Sequence, residues 1–335
     1  MRCLRWRSVF ILVATIAGPV RGAADAPSSW TLSSNDEAWK LLPATLAGGG
    51  ARLPTWARAT ARDLPRTTVA MLNLDRLHRT KSPLGPSLRG KMRWVAADAN
   101  HCEYARATAE ADLRRAGVTE AEISDLKAGR WSNGDRDAMN FASQMTVDAS
   151  LVTDDQVAAL KASYGEEKLV AMVLLLASAN FQDRIILGLG VPLEDGSPLP
   201  PLDVKIDPKA ANPPVPKRAN PADRHGPVEP VKVDDPAWRE FDFDALQKGL
   251  RDQKANVGRI RVPTYEEVLA RWPEWYPKPK NPVRIRWTLV CMGYQPELAA
   301  AWSACTRAFG EEAKQDRVFE ESLFWIVTRT IYCFY

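Results

Sequence analysis

Two cysteines sit in matching surroundings. Residues 90–104 read GKMRWVAADANHCEY and residues 321–335 read ESLFWIVTRTIYCFY. In each, a Trp (Trp94, Trp325) stands eight positions before a Cys (Cys102, Cys333), and a Tyr (Tyr104, Tyr335) stands two positions after it. A thiol becomes a useful nucleophile when its thiolate is stabilised, which a helix N-terminus or a relay of proton acceptors can do. The second copy carries a carboxylate, Glu321, twelve positions before its Cys, where the first copy has Gly90. A continuous helix would hold Glu321 and Cys333 about 18 Å apart. They share a site only if the chain bends between them, or if one helix ends and another begins at the thiol. Blander readings stand beside these: Cys333 as a small buried apolar residue, and Glu321 as a solvated partner for Arg317 one turn back. His101 precedes Cys102 and could lower its pKa, although helix neighbours point about 100° apart. A structural role is the alternative for Cys102.

The other chemistry-bearing residues are sparse. Cys3 belongs to the N-terminal segment, and Cys291 and Cys305 read as core fillers, with pairing as the alternative. Widely spaced thiols in a chain of this size do not make a disulfide framework. The three histidines, His78, His101 and His225, do not fall at ligand spacing with Cys or carboxylates, so neither a metal nor a cofactor is expected. Lys and Arg are interleaved with Asp and Glu, which reads as solvated helix faces and excludes a nucleic-acid stripe.

The repeated segment resembles the alkylhydroperoxidase D / carboxymuconolactone decarboxylase superfamily, whose redox-active members carry Glu, eleven residues, then Cys-x-x-Cys-x-x-x-His. Residues 53–194 are similar to the family's full helical unit, through Pro54-Thr55-Trp56, the Cys helix, the Ala116-Gly117-Val118-Thr119 turn, and Asn180-Phe181 with Arg184-Ile185. Residues 238–335 are similar to the first two thirds of another. The resemblance implies a hydroperoxide substrate, a dithiol reductant and a homo-oligomer, with one thiolate attacking the peroxide, a second resolving it, and Glu with His moving protons. In the first unit Cys102 matches the first Cys. Ala105 stands in place of the second, Ala109 in place of the His and Gly90 in place of the Glu, so the dithiol cycle is not expected there.

In the second unit the catalytic candidates Glu321 and Cys333 both match, and the chain stops at Tyr335, one residue short of the second Cys position. The expectation is an in-frame UGA codon after Tyr335, encoding selenocysteine and followed by further helix. If residue 335 is the end, peroxidase activity should be absent. The rival reading is an inactive helical scaffold or oligomerisation protein of the same shape. A third, lactone decarboxylase chemistry, depends on His and acidic residues, and His78 and His225 fall outside the matching helices.

The elements that must hold these residues are helical. A repeat of this kind implies two related helical domains, and 335 residues have room for two. Arg2, Arg5 and Arg7, the apolar run Val9 to Ala17 and the small residues after Gly22 read as a secretory signal over 1–22, hence export to the periplasm or beyond. The run is too short to span a bilayer. Cleavage would take the formal charge of +4 to about zero. Residues 23–52 read as a leader, 53–194 as the degenerate first unit, 195–236 as a Pro-rich connector, and 237–335 as an incomplete second unit. Thr119 with Glu122, Thr153 with Gln156 and Pro263-Thr264 with Glu267 have capping-box spacing, and Leu169 to Leu189 reads as a core helix. Period-two alternation is not convincing anywhere, so the expected fold is all-α: two tandem alkylhydroperoxidase D-like helical units, the second incomplete.

Overall fold

Ser34 opens the first helix by reciprocal capping. Its hydroxyl accepts the Glu37 N–H at 3.3 Å, while the Glu37 carboxylate accepts the Ser34 N–H at 2.9 Å, satisfying two donors that a helix start leaves over. In the computed structural model the described residues are 31–43, 45–203, 205–206, 244, 247–249, 251–252, 258–313 and 317–330. The expected signal over 1–22, most of the Pro-rich connector, and Cys333 with Tyr335 lie outside them.

Among the described residues the fold is all-α, apart from one short ribbon. The first helices are α1 (Asn35–Leu41), α2 (Thr55–Thr60), α3 (Pro65–Thr80) and α4 (Pro86–Ala99). Helices α5 (Glu103–Arg115), α6 (Glu120–Lys127), α7 (Arg136–Val147) and α8 (Asp154–Leu189) follow. Beyond the connector come α9 (Tyr265–Ala270), α10 (Arg286–Tyr294), α11 (Pro296–Glu312) and α12 (Arg317–Thr330). The ribbon pairs β1 (Thr45–Ala47) antiparallel to β2 (Lys205–Ile206). The three capping boxes expected from sequence all form, opening α6, α8 and α9. Part of the expected leader is helix α1, with Ala38 fully buried.

The core gathers around α4, which packs on α5, α7 and α8. Met92, Leu113, Met139, Leu160, Met172 and Leu176 lose all contact with water, each side chain worth about 1.5–3 kcal/mol of burial. Helix α8 is long and apolar enough to cross a bilayer, yet 56% of its most apolar window is buried inside the molecule. It bends at Gly165, whose φ of 77° and ψ of 165° lie in a region that only glycine enters without strain.

Helices α3 and α11 make the most extensive helix–helix contact in the fold. Their direction is fixed by Glu312 at the end of α11. Its carboxylate accepts the N–H groups of Arg66 and Thr67 at 2.8 Å each and the Thr67 hydroxyl at 2.7 Å. A carboxylate on the exposed donors of a helix start is favourable both as a hydrogen-bond acceptor and as a charge on the positive dipole end, so α11 runs antiparallel to α3. Ala299, Ala300, Ala301 and Ala308 are buried along α11, and small side chains let helix axes approach closely. Phe181 of α8 meets Trp302 and Phe309 of α11 edge-on, at 5.7 and 5.3 Å between ring centres.

The helices repeat at a fixed interval. Helices α2 and α3 start at Thr55 and Pro65, and α10 and α11 start at Arg286 and Pro296, each pair 231 residues apart. Trp56 with Trp287 and Trp94 with Trp325 keep it too. The capping residues of α1 and α9, Ser34 and Thr264, are 230 apart. Burial does not repeat: Met92, Trp94 and Val95 are 0%, 6% and 5% exposed, whereas Leu323, Trp325 and Ile326 are 49%, 44% and 44% exposed.

Candidate functional site

Cys102 caps the N-terminus of α5 and is fully buried. The residues before it form a helix ending in which the Cys102 N–H reaches back to the Ala97 carbonyl at 2.8 Å and the His101 N–H reaches Asp98 at 2.9 Å. That closure needs a left-handed residue in the middle, and His101 supplies it at φ 56°. The same geometry turns His101 out into solvent, so the structure does not bring His101 and Cys102 together into one site.

The thiol is held protonated. Burial first, then the Asp183 carboxylate, push its pKa up to about 11, against the opposing pull of the Ala105 N–H and Arg93. Cys305 and Cys291 are raised by burial to about 12 and about 11. All three are free thiols, which fits the core-filler reading of Cys291 and Cys305. Gly90, where the resemblance would place a carboxylate, has no room for one: a Cβ there would lie 2.7 Å from Leu113 Cδ2.

Glu321 lies on α12 and is exposed, as are its neighbours through Val327. The described part of α12 reaches Thr330, three positions before Cys333. Cys333 itself is outside the described residues.

The polar chemistry of the described interior lies elsewhere, in a narrow cavity of about 60 Å³ between α3, α4, α5 and α8. Ala105 and Ala109 line it, so it occupies the place where the resemblance puts a second Cys and a His. Asp112 of α5 is its electrostatic hub. Arg79 donates to both its oxygens at 2.8 and 2.6 Å, Arg89 at 2.8 Å and Arg115 at 2.9 Å. Burial alone would raise the Asp112 pKa, but these arginines outweigh it and hold the group below the usual carboxylate range. Asp183 of α8 is fully buried and accepts from Arg93, at 3.0 Å to one oxygen, and from Asn100 at 3.1 Å. Glu194 closes the cavity rim, accepting the Thr55 N–H at 2.7 Å, its hydroxyl at 3.0 Å and the Tyr104 hydroxyl.

His78 lines this cavity. It is 4% exposed, and neither ring nitrogen has a partner among the described residues. Burial first, then the positive charges of Arg89 and Arg93, push its pKa down to about 3, so the ring is neutral. Sequence placed His78 outside the matching helices; the fold brings it to the centre. The signal was present in the spacing: Asp75, His78 and Arg79 on α3, and Arg89 and Arg93 on α4, put ionisable groups at helical spacing on faces otherwise apolar. Among the described residues there is no cluster of His, Cys, Asp and Glu that could hold a metal ion.

Comparison finds no relatives. No family model, no curated protein and no solved structure matches this chain.

Proposed function

We propose that the chain is an exported, thiol-dependent hydroperoxide reductase of the alkylhydroperoxidase D type, built as two tandem helical units with the redox centre in the second. The observation that carries this reading is the 231-residue register. It makes Cys333 the counterpart of the helix-capping Cys102, and Glu321 the counterpart of Gly90. Position 90 faces α5 at Leu113, one turn beyond Ala109. A carboxylate in that position acts on the thiol through a side chain of the following helix and not by direct contact, which accounts for the long separation of Glu321 and Cys333.

In the proposed cycle the Cys333 thiolate attacks the terminal oxygen of R–O–O–H. A sulfur–oxygen bond forms, the oxygen–oxygen bond breaks, and RO⁻ leaves as ROH after taking a proton relayed from the Glu321 carboxyl. The sulfenic acid is returned by an external dithiol. One thiol condenses with it, releasing water and leaving a mixed disulfide, and the second thiol displaces Cys333 as thiol while the reductant becomes a disulfide.

The rival reading, a helical scaffold without activity, is favoured for the first unit by the protonated Cys102 and the contact of Gly90 with Leu113. The test is turnover of cumene hydroperoxide with dithiothreitol by the product of the full reading frame, including any residues translated after Tyr335. Turnover is expected to vanish in Cys333→Ser, to fall about 10²-fold or more in Glu321→Gln, and to persist in Cys102→Ser. Absence of turnover in the unaltered protein leaves the scaffold.

A further inference from the structure

The cavity at His78 combines features that the peroxide reading does not use. Its three lining carboxylates, Asp75, Asp112 and Glu194, are each engaged by a donor of the fold: Arg79 for Asp75, three arginines for Asp112, and Thr55 with Tyr104 for Glu194. Unmet hydrogen-bonding capacity remains on the basic side. The Arg89 Nε–H and both His78 nitrogens are buried without partners among the described residues. Polar atoms buried beside a cavity need a partner, and a ligand that supplies acceptor oxygens provides one for the Arg89 Nε–H and for a His78 N–H.

We propose that this cavity is a binding site for a small monoanionic oxyanion of the size of formate or acetate, held by His78 and the Nε–H of Arg89 with Arg93 beside them. Charge selects the ligand class, because the unmet donors are cationic or flanked by cations, and charge-assisted hydrogen bonds are about twice as strong as neutral ones. Size favours a small member of that class, since the cavity measures about 60 Å³. The ionisable groups that line the cavity with His78 are Asp75 and Arg79 on its own helix, Arg89 and Arg93 on α4, Tyr104 and Asp112 on α5, and Glu194 at the rim. An anion among them favours the protonated ring, so binding is expected to take up a proton and to tighten as pH falls. This site is independent of Cys333 and stands or falls without it.

Three histidines in the chain make the imidazole nitrogen spectrum tractable, with His78 assigned by its loss in His78→Leu. Sodium formate is titrated into the full protein, with chloride at matched ionic strength as control. A saturable shift of the His78 resonances is expected. It should weaken about tenfold or more in Arg89→Lys, which keeps the charge and loses the Nε–H. Formamide, the neutral counterpart, should bind at least about tenfold more weakly, and benzoate should not bind. A response to formate no different from that to chloride, equal binding of formamide, or binding of benzoate would overturn the assignment. Should His78→Leu fail to fold, Arg89→Lys and the two control ligands decide the matter alone.

Discussion

Leu113 Cδ2 lies 2.7 Å from the point where any side chain at Gly90 would have to begin. Both residues are buried where α4 crosses α5, and the contact leaves no room for a side chain at position 90. Gly90→Glu is therefore expected to destabilise the protein by about 3 kcal/mol or more, combining overpacking with a buried charge. Gly90→Ala paired with Leu113→Ala should recover most of the packing strain. Urea denaturation midpoints check both.

Asp112 accepts four N–H groups from three arginines in a site almost without water. Asp112→Ala strands those charges and is expected to cost about 3–5 kcal/mol. Asp112→Asn, which keeps the shape and loses the charge, should still be clearly destabilised. Thermal unfolding of the two variants gives the comparison.

Acid sensitivity should report on His78. Its pKa in the fold is about 3 against an ordinary histidine value of 6.5, so above pH 6.5 the ring is neutral in both folded and unfolded chains and contributes no pH dependence. As pH falls from about 6.5 towards 3, the unfolded chain takes up a proton that the folded chain refuses, and stability is lost over that window. His78→Leu is expected to remove this component, so the stability difference between the variant and the unaltered protein should grow on acidification. A pH series of denaturation curves measures it.

His101 closes α4 in a left-handed conformation that costs a non-glycine residue about 1–2 kcal/mol. His101→Gly is expected to raise stability by roughly 0.5–1 kcal/mol and to leave the reactivity of Cys102 unchanged. Loss of stability would show that the ring has a role beyond closing the helix.

Cys102 and Cys305 are fully buried, with pKa values pushed to about 11 and about 12. Both should resist iodoacetamide at neutral pH and become labelled only at the rate at which the chain opens. Mass spectrometry of timed samples distinguishes this from rapid modification of a poised thiol.

Sequence carried the helical class and the capped helix starts, because those signals are local: a hydroxyl three residues before Glu or Gln, and apolar residues at helical spacing. It also marked the Trp–Cys repeat, whose second cysteine, Cys333, lies outside the described residues. It missed what depends on distant residues meeting. Asp112 and the arginines that hold it lie on three different helices, and nothing near Asp112 in the chain announces a buried hub. The same holds for His78, whose meaning depends on α4 and α8 closing over it, and for Glu312, which serves a helix start some 245 residues away.

The cap that Glu312 places on α3 ties the two ends of the chain into a single mechanical unit. Synthesised separately, a front half would present the bare alanine-matched side of α3 to water with its leading amides unanswered, and a rear half would expose the facing stripe of α11. Neither fragment would carry the surface that the other supplies to it.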